Sequence, residues 1–341
     1  MDIKNTLARL TAATGVSGCE NGAAELALSL LKEYAPDAEI DRSGNVTGVI
    51  ASGRPGAKTL MLDAHIDQIG MIVTAVDKDG FIKVGFCGGA DMRIMLAQSV
   101  TVHGSEPVRG VVSTLPPHVS SDHSKVPEIG DISIDVGMTK EQAERIIRPG
   151  DRVTVNSDFR ELCGDVISAP SVDDRSGVCA ILAALDMLKT RESAYDLAIC
   201  FSAQEETGER GVKGATYRLA PDEAIAVDVS FGRTPDSVPH ETAELGSGVM
   251  IGTSAVLDRG MTERLKHTAK RCDIPYTTEV MPSSTGTNAD SIAVSRGGVK
   301  CCTLSIPIRY MHTPIETVSI SDIEATARLI CEYAAGGDNN E

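Results

Sequence analysis

The sequence predicts an α/β fold: a three-layer α/β/α sandwich with a mixed sheet, interrupted by an inserted small β-barrel domain. Two observations lead to this prediction. In the first and last parts of the chain, apolar runs such as DLAICFSAQ alternate with amphipathic helical stretches, as expected of central strands that are covered on both faces. Between these parts lie short β-rich segments punctuated by glycine and proline, which is typical of a small barrel or sandwich.

The α/β part begins with helices and returns after the insertion. Over residues 1–34 leucines recur at helical spacing, interrupted by the loop TGVSGCENG, and AKTLMLDAHID then predicts a strand. After the insertion, DDRSGVCAILAALDMLK predicts an amphipathic helix and EAIAVDVS a central strand. The last helix is expected to start at SDIEATARLI, where Ser321 and Glu324 are spaced as a capping box. We expect residues 1–69 and 161–341 to form one domain.

Residues 70–160 form the predicted insertion. Short segments such as IVTAVD, FIKVGF, SVTVHG and DRVTVN favour strands, and residues 139–147 favour a helix. A stretch of roughly ninety residues is the size of a compact module. The chain therefore leaves the α/β domain, forms a small barrel and returns.

Composition and charge argue against several classes of function. The chain has 341 residues and a formal net charge of −16, which disfavours binding to a nucleic-acid backbone or to an anionic membrane surface. No apolar stretch is long enough to cross a bilayer. The nine cysteines include no CxxC pair, and MDIKNTLARL resembles a helix start rather than a secretory signal. We expect reduced thiols and a cytoplasmic protein.

Side chains that commonly bind metals follow several predicted strands. In DAHIDQIG, His65 and Asp67 are two residues apart, so both point to the same side of the sheet. Asp67 could hold the second ring nitrogen of His65, as carboxylates often do for a metal-bound imidazole. The alternative is a solvated polar pair at the end of a strand.

Two acidic pairs are further candidates. In SVDDRSG, Asp174 is best explained as a helix N-cap, whereas the two oxygens of Asp173 could bridge two cations. In QEETGERG, Glu205 and Glu206 lie just beyond a central strand, where sites of open α/β sheets gather. One glutamate could bind a cation while the other faces a reacting water. The alternative is two solvated acids in a loop.

Asp228 and His312 complete the set. Asp228 is expected to end the strand of IAVDVS, and His312 follows the strand of TLSIPI; taken alone, a turn aspartate and a structural histidine are the simpler interpretations. Two imidazoles and three carboxylates fit zinc or cobalt better than magnesium, and they are too many for one catalytic zinc. The sequence therefore predicts two ions that share one carboxylate. The predicted metal ligands are His65, Asp173, Glu206, Asp228 and His312.

These motifs, in this order and spacing, resemble the glutamyl aminopeptidase family. Its members are di-metal aminopeptidases that include the tetrahedral TET particles, and some members have been labelled endoglucanases. The resemblance extends over nearly the whole chain and also includes RGVVSTLPPH, PGDRVTV and TGTNADSI. Gln68 departs from the pattern because the family usually has glutamate there, which removes a charge near the metal centre.

The resemblance implies a role for each candidate residue. His65, Asp173 and Asp228 match the ligands of one metal. Asp173, Glu206 and His312 match those of the other. Glu205 matches the general base, and Asp67 the acid that orients His65. The cofactors would be two divalent ions per subunit, with zinc or cobalt favoured and manganese as an alternative.

The implied function is a metal-dependent aminopeptidase that removes N-terminal residues from peptides through a metal-bridged water. Residues 1–69 and 161–341 would be the catalytic domain, and residues 70–160 a dimerisation domain whose dimers build a tetrahedral dodecamer. Residues 284–287 are a candidate wall of the substrate pocket.

Three alternatives stay open. A di-metal deacylase or carboxypeptidase acting on blocked amides would use the same ligands. An endoglucanase is less expected, because the chain has no Trp to stack on a sugar and Glu205 and Glu206 are adjacent. A non-catalytic scaffold would not need a complete set of ligands and a base.

Overall fold

The computed structural model describes residues 1–113, 115, 118–119 and 126–336. Part of RGVVSTLPPH (residues 114, 116 and 117) and the predicted end of the α/β domain (residues 337–341) lie outside the described residues. The α-helices of the described part are α1 Ile3–Ala12, α2 Asn21–Leu31, α3 Met92–Met95, α4 Lys140–Ile146, α5 Val172–Leu188, α6 Arg210–Leu219, α7 Arg259–Arg271, α8 Ala289–Ala293 and α9 Ile320–Ala334. Among the described residues, no helix has the length and apolar character that crossing a membrane requires.

The strands fall into two groups, one in the α/β part and one in the insertion. The strands of the α/β part are β1 Glu39–Ile40, β2 Val46–Ile50, β3 Thr59–His65, β10 Arg160–Glu161, β11 Val166–Ala169, β12 Asp196–Ser202, β13 Glu223–Phe231, β14 Val249–Ser254, β15 Tyr276–Met281, β16 Lys300–Arg309 and β17 Glu316–Ser319. The strands of the insertion are β4 Gly70–Val76, β5 Ile82–Cys87, β6 Ser99–His103, β7 Pro107–Val112, β8 Ile134–Asp135 and β9 Arg152–Val155.

One large mixed sheet forms the centre of the α/β part. Its order is β1-β2-β12-β3-β13-β16-β17-β11-β10, and β14 pairs with both β16 and β15. The central strands β12, β3, β13 and β16 are parallel, whereas β2 and β17 run antiparallel to their neighbours β12 and β16. The predicted mixed sheet is confirmed.

Helices cover both faces of this sheet. In β3, the side chains of Leu60 and Leu62 belong to the larger core, which also contains residues of α1, α2, α5, α7 and α9. The side chain of Met61 belongs to a smaller core formed with α6 and α8. Because successive side chains of a strand point to opposite faces, the two cores lie on opposite sides of the sheet. The predicted three-layer sandwich is confirmed.

The insertion forms a closed barrel of β4, β5, β8, β7, β6 and β9. Its core is separate from those of the sheet and consists mainly of valine and isoleucine side chains. The barrel strands run from Gly70 to Val155, and the helix predicted at residues 139–147 is α4, capped by Thr139. The predicted barrel is confirmed, while the domain limits and the dimerisation role stay predictions.

The last helix begins differently from the prediction. Its N-cap is Ser319, so Ser321 lies in the first turn and does not form the predicted capping box with Glu324. The Ser319 hydroxyl donates to Asp165 Oδ2 at 2.7 Å, and the Ser321 amide donates to the same oxygen at 3.0 Å. The capping box was wrong because a carboxylate from a distant segment caps this end of the helix.

Candidate metal centre

The register of the central strands places His65 beside Asp228. β3 and β13 run parallel with Asp63 opposite Ala226, so the residues two positions further along are neighbours on the same face. His65 Nε2 lies 3.9 Å from Asp228 Oδ1. The expectation that Asp228 ends its strand was wrong, because β13 continues to Phe231 through its pairing with β16.

Asp173 lies between two histidines. His65 Nε2 is 2.9 Å from Asp173 Oδ1, and His312 Nε2 is 3.3 Å from Asp173 Oδ2. His312 Nε2 is also 3.6 Å from Glu206 Oε1. Each oxygen of the Asp173 carboxylate therefore faces a different imidazole.

The described residues thus contain two groups of potential metal ligands with Asp173 in common. Within each group the ligand atoms lie within 4.8 Å of one another. The first group is His65, Asp173 and Asp228, and the second is Asp173, Glu206 and His312. The structure brings together all five side chains that the sequence predicts as ligands, in the grouping that the resemblance implied.

Asp174 accepts hydrogen bonds from the backbone amides of His65 and Gly177 and belongs to neither ligand group. Asp173 and Asp174 lack helical backbone angles at the start of α5, and the peptide bond between them is cis. Asp174 Oδ1 accepts a hydrogen bond from the Gly177 amide at 2.9 Å, which is the contact of a helix N-cap. This agrees with the interpretation of Asp174 as the cap and leaves Asp173 directed to the histidines.

A tight turn after β12 carries the two adjacent glutamates. Gln204 has a φ of +58°, a left-handed conformation that is uncommon for a residue other than glycine. The chain reverses there, and the side chains of Glu205 and Glu206 line the same cavity. Both are only partly exposed, so the alternative of two solvated acids does not hold.

Asp67 fixes this turn. Its carboxylate accepts hydrogen bonds from the amides of Glu205 and Glu206 at 2.9 and 3.2 Å and from the Ser17 hydroxyl. The Asp67 carboxylate is 3.6 Å from His65 Nδ1, whereas the Asp67 carbonyl oxygen is nearer, at 3.1 Å. His65 and Asp67 are 2% and 0% exposed, so they are not a solvated pair. Asp67 therefore faces His65 and also holds the backbone of the two glutamates.

Sequence reasoning missed Glu316, which is buried in β17. Its Oε2 accepts a hydrogen bond from the Asp173 amide at 3.0 Å, and its Oε1 accepts one from the His312 amide at 2.9 Å. His312 has a φ of +60°, so this contact helps to hold an uncommon backbone conformation. One carboxylate thus positions two potential ligands. The only signal in the sequence was an acidic residue four positions after His312.

Arg175 was also missed, and it places a positive charge behind the centre. Its side chain is fully buried, and its Nη1 donates to the Leu10 carbonyl oxygen at 2.9 Å. Burial lowers the pKa of Arg175 to about 10, against the opposing effect of the negative charges of Asp67 and Glu20. The guanidinium therefore remains cationic at neutral pH and offsets part of the acidic charge.

Gln68, where the resemblance implied a glutamate, binds backbone groups. Its Oε1 accepts a hydrogen bond from the Gly15 amide at 3.2 Å. Its own main chain exchanges further hydrogen bonds with Gly15 and Ser17 at 2.9 and 3.2 Å. The amide side chain therefore ties the loop between α1 and α2 to the strand end that carries His65.

The potential ligands strongly influence one another's ionisation. Burial, together with the negative charge of Asp173, raises the pKa of Glu206 and of Asp228 well above the usual range. Burial also opposes the ionisation of Asp173, but the hydrogen bonds from His312 and His65 outweigh it and hold the pKa of Asp173 well below its usual range. A divalent cation between these groups would favour their ionised forms. Two imidazoles and three carboxylates fit zinc or cobalt better than magnesium.

The centre opens into a cavity of about 540 Å³. Besides the ligand groups, the cavity is lined by Glu205 and by Thr285, Gly286 and Thr287, which belong to the predicted wall at residues 284–287. Burial raises the pKa of Glu205 to about 7. The barrel contributes Gly89 to the lining. A carboxyl group with this pKa, in a cavity next to potential metal ligands, can exchange a proton near neutral pH.

A known protein family matches most of the chain. The M42 glutamyl aminopeptidase family matches residues 44–329, and the chain belongs to this family. The family is one of aminopeptidases, which are hydrolases that act on peptide bonds. One matching structure is described as an endoglucanase and another as a putative peptidase/endoglucanase, so both labels expected from the resemblance occur.

Three similar proteins illustrate the extent of the match. The lysyl aminopeptidase of Pyrococcus furiosus is 34% identical over 92% of both chains. The structure of aminopeptidase APDkam598 from Desulfurococcus kamchatkensis matches with a TM-score of 0.92 and 33% identity, covering 97% of this chain and 94% of that one. The TET1 peptidase of Pyrococcus horikoshii, which can assemble into a tetrahedron or a large octahedral shell, matches with a TM-score of 0.87 and 28% identity, covering 98% and 99%.

We predict that Glu316→Gln weakens zinc and cobalt binding by about 10- to 100-fold, the usual effect of losing a group that orients metal ligands. The amide nitrogen of glutamine would face one of two backbone N–H donors, so the Asp173 or the His312 backbone would lose its acceptor. The measurement is competition of the metal-stripped protein with a chromogenic chelator. Glu324→Gln, a change to an exposed residue of α9, is the matched control. Unchanged affinity in a folded Glu316→Gln protein would contradict this role.

Proposed function

We propose that this chain is a metal-dependent aminopeptidase that removes N-terminal residues from peptides, with Glu205 as its general base. The observation that carries the proposal is the pair of ligand groups that share Asp173, next to Glu205 in one cavity. Each group offers three ligands, the number that a catalytic zinc usually takes from the protein. We propose two divalent ions per subunit, zinc or cobalt first and manganese as an alternative.

When bound, two such ions would lower the pKa of a water held between them and polarise the scissile carbonyl group. The residues of the chain supply the rest. His65, Asp173 and Asp228 would hold one ion, and Asp173, Glu206 and His312 the other. Glu205 would take a proton from the attacking water and pass it to the leaving amine. Asp67 would keep Glu205 in place by accepting the hydrogen bond of the Glu205 backbone amide, and it would face the ring of His65.

The free α-amine of a peptide is the feature that favours exopeptidase action. With the ions bound, the ligand carboxylates are neutralised, so the free amine would bind an ion through its nitrogen or pair with a carboxylate outside the ligand groups. An N-acetylated peptide has neither a basic nitrogen nor a positive charge. The name of the Pyrococcus furiosus relative, lysyl aminopeptidase, also supports removal of N-terminal residues.

The first test is a panel of unblocked and N-acetylated aminoacyl substrates. The protein is treated with a chelator and then given zinc, cobalt or manganese. We expect loss of activity on chelation and recovery on addition of metal, with cleavage of unblocked substrates only. Cleavage of the acetylated substrates instead would favour the deacylase alternative. Binding of fewer than two metal ions per chain together with no cleavage would favour a scaffold.

The second test addresses the general base. We predict that Glu205→Gln lowers kcat by at least about 10²-fold, the usual contribution of a general base, because an amide cannot accept the proton. Metal content, measured by mass spectrometry of the metals, should be unchanged because Glu205 belongs to neither ligand group. Glu263→Gln on α7 is the control, since that side chain is 64% exposed. Turnover of Glu205→Gln near that of the control would remove Glu205 from this role.

We also propose that the chain self-associates through its barrel, as a dimer that builds a tetrahedral dodecamer. The support is the assembly of the TET1 peptidase and exposed apolar side chains of the insertion, among them Val111 of β7, which is 50% exposed. Exposed apolar side chains often mark an interface where they form a contiguous patch.

The test of assembly is sedimentation velocity of the protein and two charged variants. We expect the unmodified protein to sediment as a dimer or a larger assembly. Val111→Asp should lower the mass of the sedimenting species, because a buried unpaired carboxylate is costly at an interface. Val49→Asp is the control, since Val49 is 59% exposed on β2 of the α/β part. A monomeric unmodified protein would contradict the proposal.

A further inference from the structure

The cavity that opens from the metal centre contains a carboxylate that the proposed mechanism does not use. Glu279 of β15 lines the cavity together with Glu205 and the ligand groups, but it belongs to neither ligand group. It is partly buried. A substrate in this cavity would lie next to it.

Two serine hydroxyls hold the Glu279 carboxylate in place. The Ser305 hydroxyl donates to Glu279 Oε2 at 2.6 Å, and the Ser230 hydroxyl donates to Oε1. An ionised carboxylate can accept about four hydrogen bonds, so each oxygen retains capacity for a further donor. The carboxylate is therefore oriented before any substrate arrives.

The sheet register brings this carboxylate close to the metal centre. Ser305 lies directly opposite the potential ligand Asp228 in the pairing of β13 with β16, and the side chains of such a pair point to the same face. In the pairing of β14 with β15, Gly252 lies opposite Glu279. Gly252 has no side chain that could separate Glu279 from β16. A substrate bound at the centre would thus have Glu279 within the same cavity.

The other residues that line the cavity suit a basic side chain of a substrate. Apolar groups of Phe231, Met281 and Met311 line the cavity and suit the methylene stem of a long side chain. Among the described residues that line it there is no lysine or arginine that could neutralise Glu279 or attract an acidic substrate. An apolar wall with a carboxylate held by hydrogen bonds matches the stem and the charged end of lysine or arginine.

We propose that Glu279 gives this chain a preference for substrates whose N-terminal residue is basic, lysine or arginine. The proposal rests on the aminopeptidase function proposed above and adds its substrate class. The cation of the substrate side chain would pair with Glu279, while an acidic side chain at the same place would be repelled by it.

The test uses the metal-loaded protein and four p-nitroanilides, those of lysine, norleucine, leucine and glutamate. Norleucine has the four-carbon stem of lysine without the ammonium group, so the ratio of kcat/KM for the lysyl and norleucyl substrates reports the charge. We expect this ratio to be about 10 or more in the unmodified protein, because a hydrogen bond to a charged group contributes at least this factor. The glutamyl substrate should have the lowest kcat/KM.

The variant Glu279→Gln keeps the size of the side chain and removes its charge. We expect the lysyl-to-norleucyl ratio to fall about tenfold or more, whereas Glu324→Gln, the same charge change at an exposed site on α9, should leave the ratio as it was. Should Glu279→Gln fail to fold, the ratio of the unmodified protein still tests the proposal.

Two results would overturn the proposal. One is a norleucyl or glutamyl substrate cleaved as efficiently as the lysyl one by the unmodified protein, and the other is an unchanged ratio in folded Glu279→Gln. Both differ from failure of the proposed function, in which the leucyl substrate would also resist cleavage. That last outcome would overturn the preference together with the function on which it rests.

Discussion

The position of the Asp173 carboxylate between two imidazoles is the constraint on which the rest of the centre depends. Its oxygens lie 2.9 Å from His65 Nε2 and 3.3 Å from His312 Nε2. A small rotation of the carboxylate would therefore move its oxygens away from both histidines and disrupt both ligand groups at once. Three separate segments must therefore be placed accurately: the end of β3, the start of α5 and the loop after β16. Glu316 links the start of α5 to the loop after β16, because its carboxylate accepts hydrogen bonds from the amides of Asp173 and His312.

The second requirement is that many acids be buried together without destabilising the fold. An isolated buried carboxylate is costly, and here the cost is offset by hydrogen bonds and opposite charge. Asp67 accepts two backbone amides and a hydroxyl, and Asp174 accepts the amide of Gly177. Arg175, buried beneath them, adds a positive charge. The acids that line the cavity are thus supported by acids that mainly accept hydrogen bonds from backbone amides.

The barrel also takes part in the site. Gly88 and Gly89 follow β5 and reach the candidate metal centre. A β-carbon on Gly88 would lie 3.1 Å from Glu206 Oε2, and one on Gly89 would lie 3.2 Å from His312 Nδ1. Gly88 also has a φ of +83°, which glycine adopts without strain. The segment that builds the barrel therefore approaches two potential ligands closely, and larger side chains there would displace them.

The sequence by itself determined the layered fold, the inserted barrel and the five potential ligands. Hydrophobic periodicity reports which face of an element is buried, and ligand-type residues after apolar strands report the edge of a sheet where a site forms. The tertiary structure alone decided the support of the site. Glu316 and Arg175 reach it from β17 and α5, and Glu279 reaches the cavity from β15, across Gly252. These contacts join residues far apart in the chain. Local patterns carry no information about which distant strands and helices become neighbours, so only the packing of these elements reveals them.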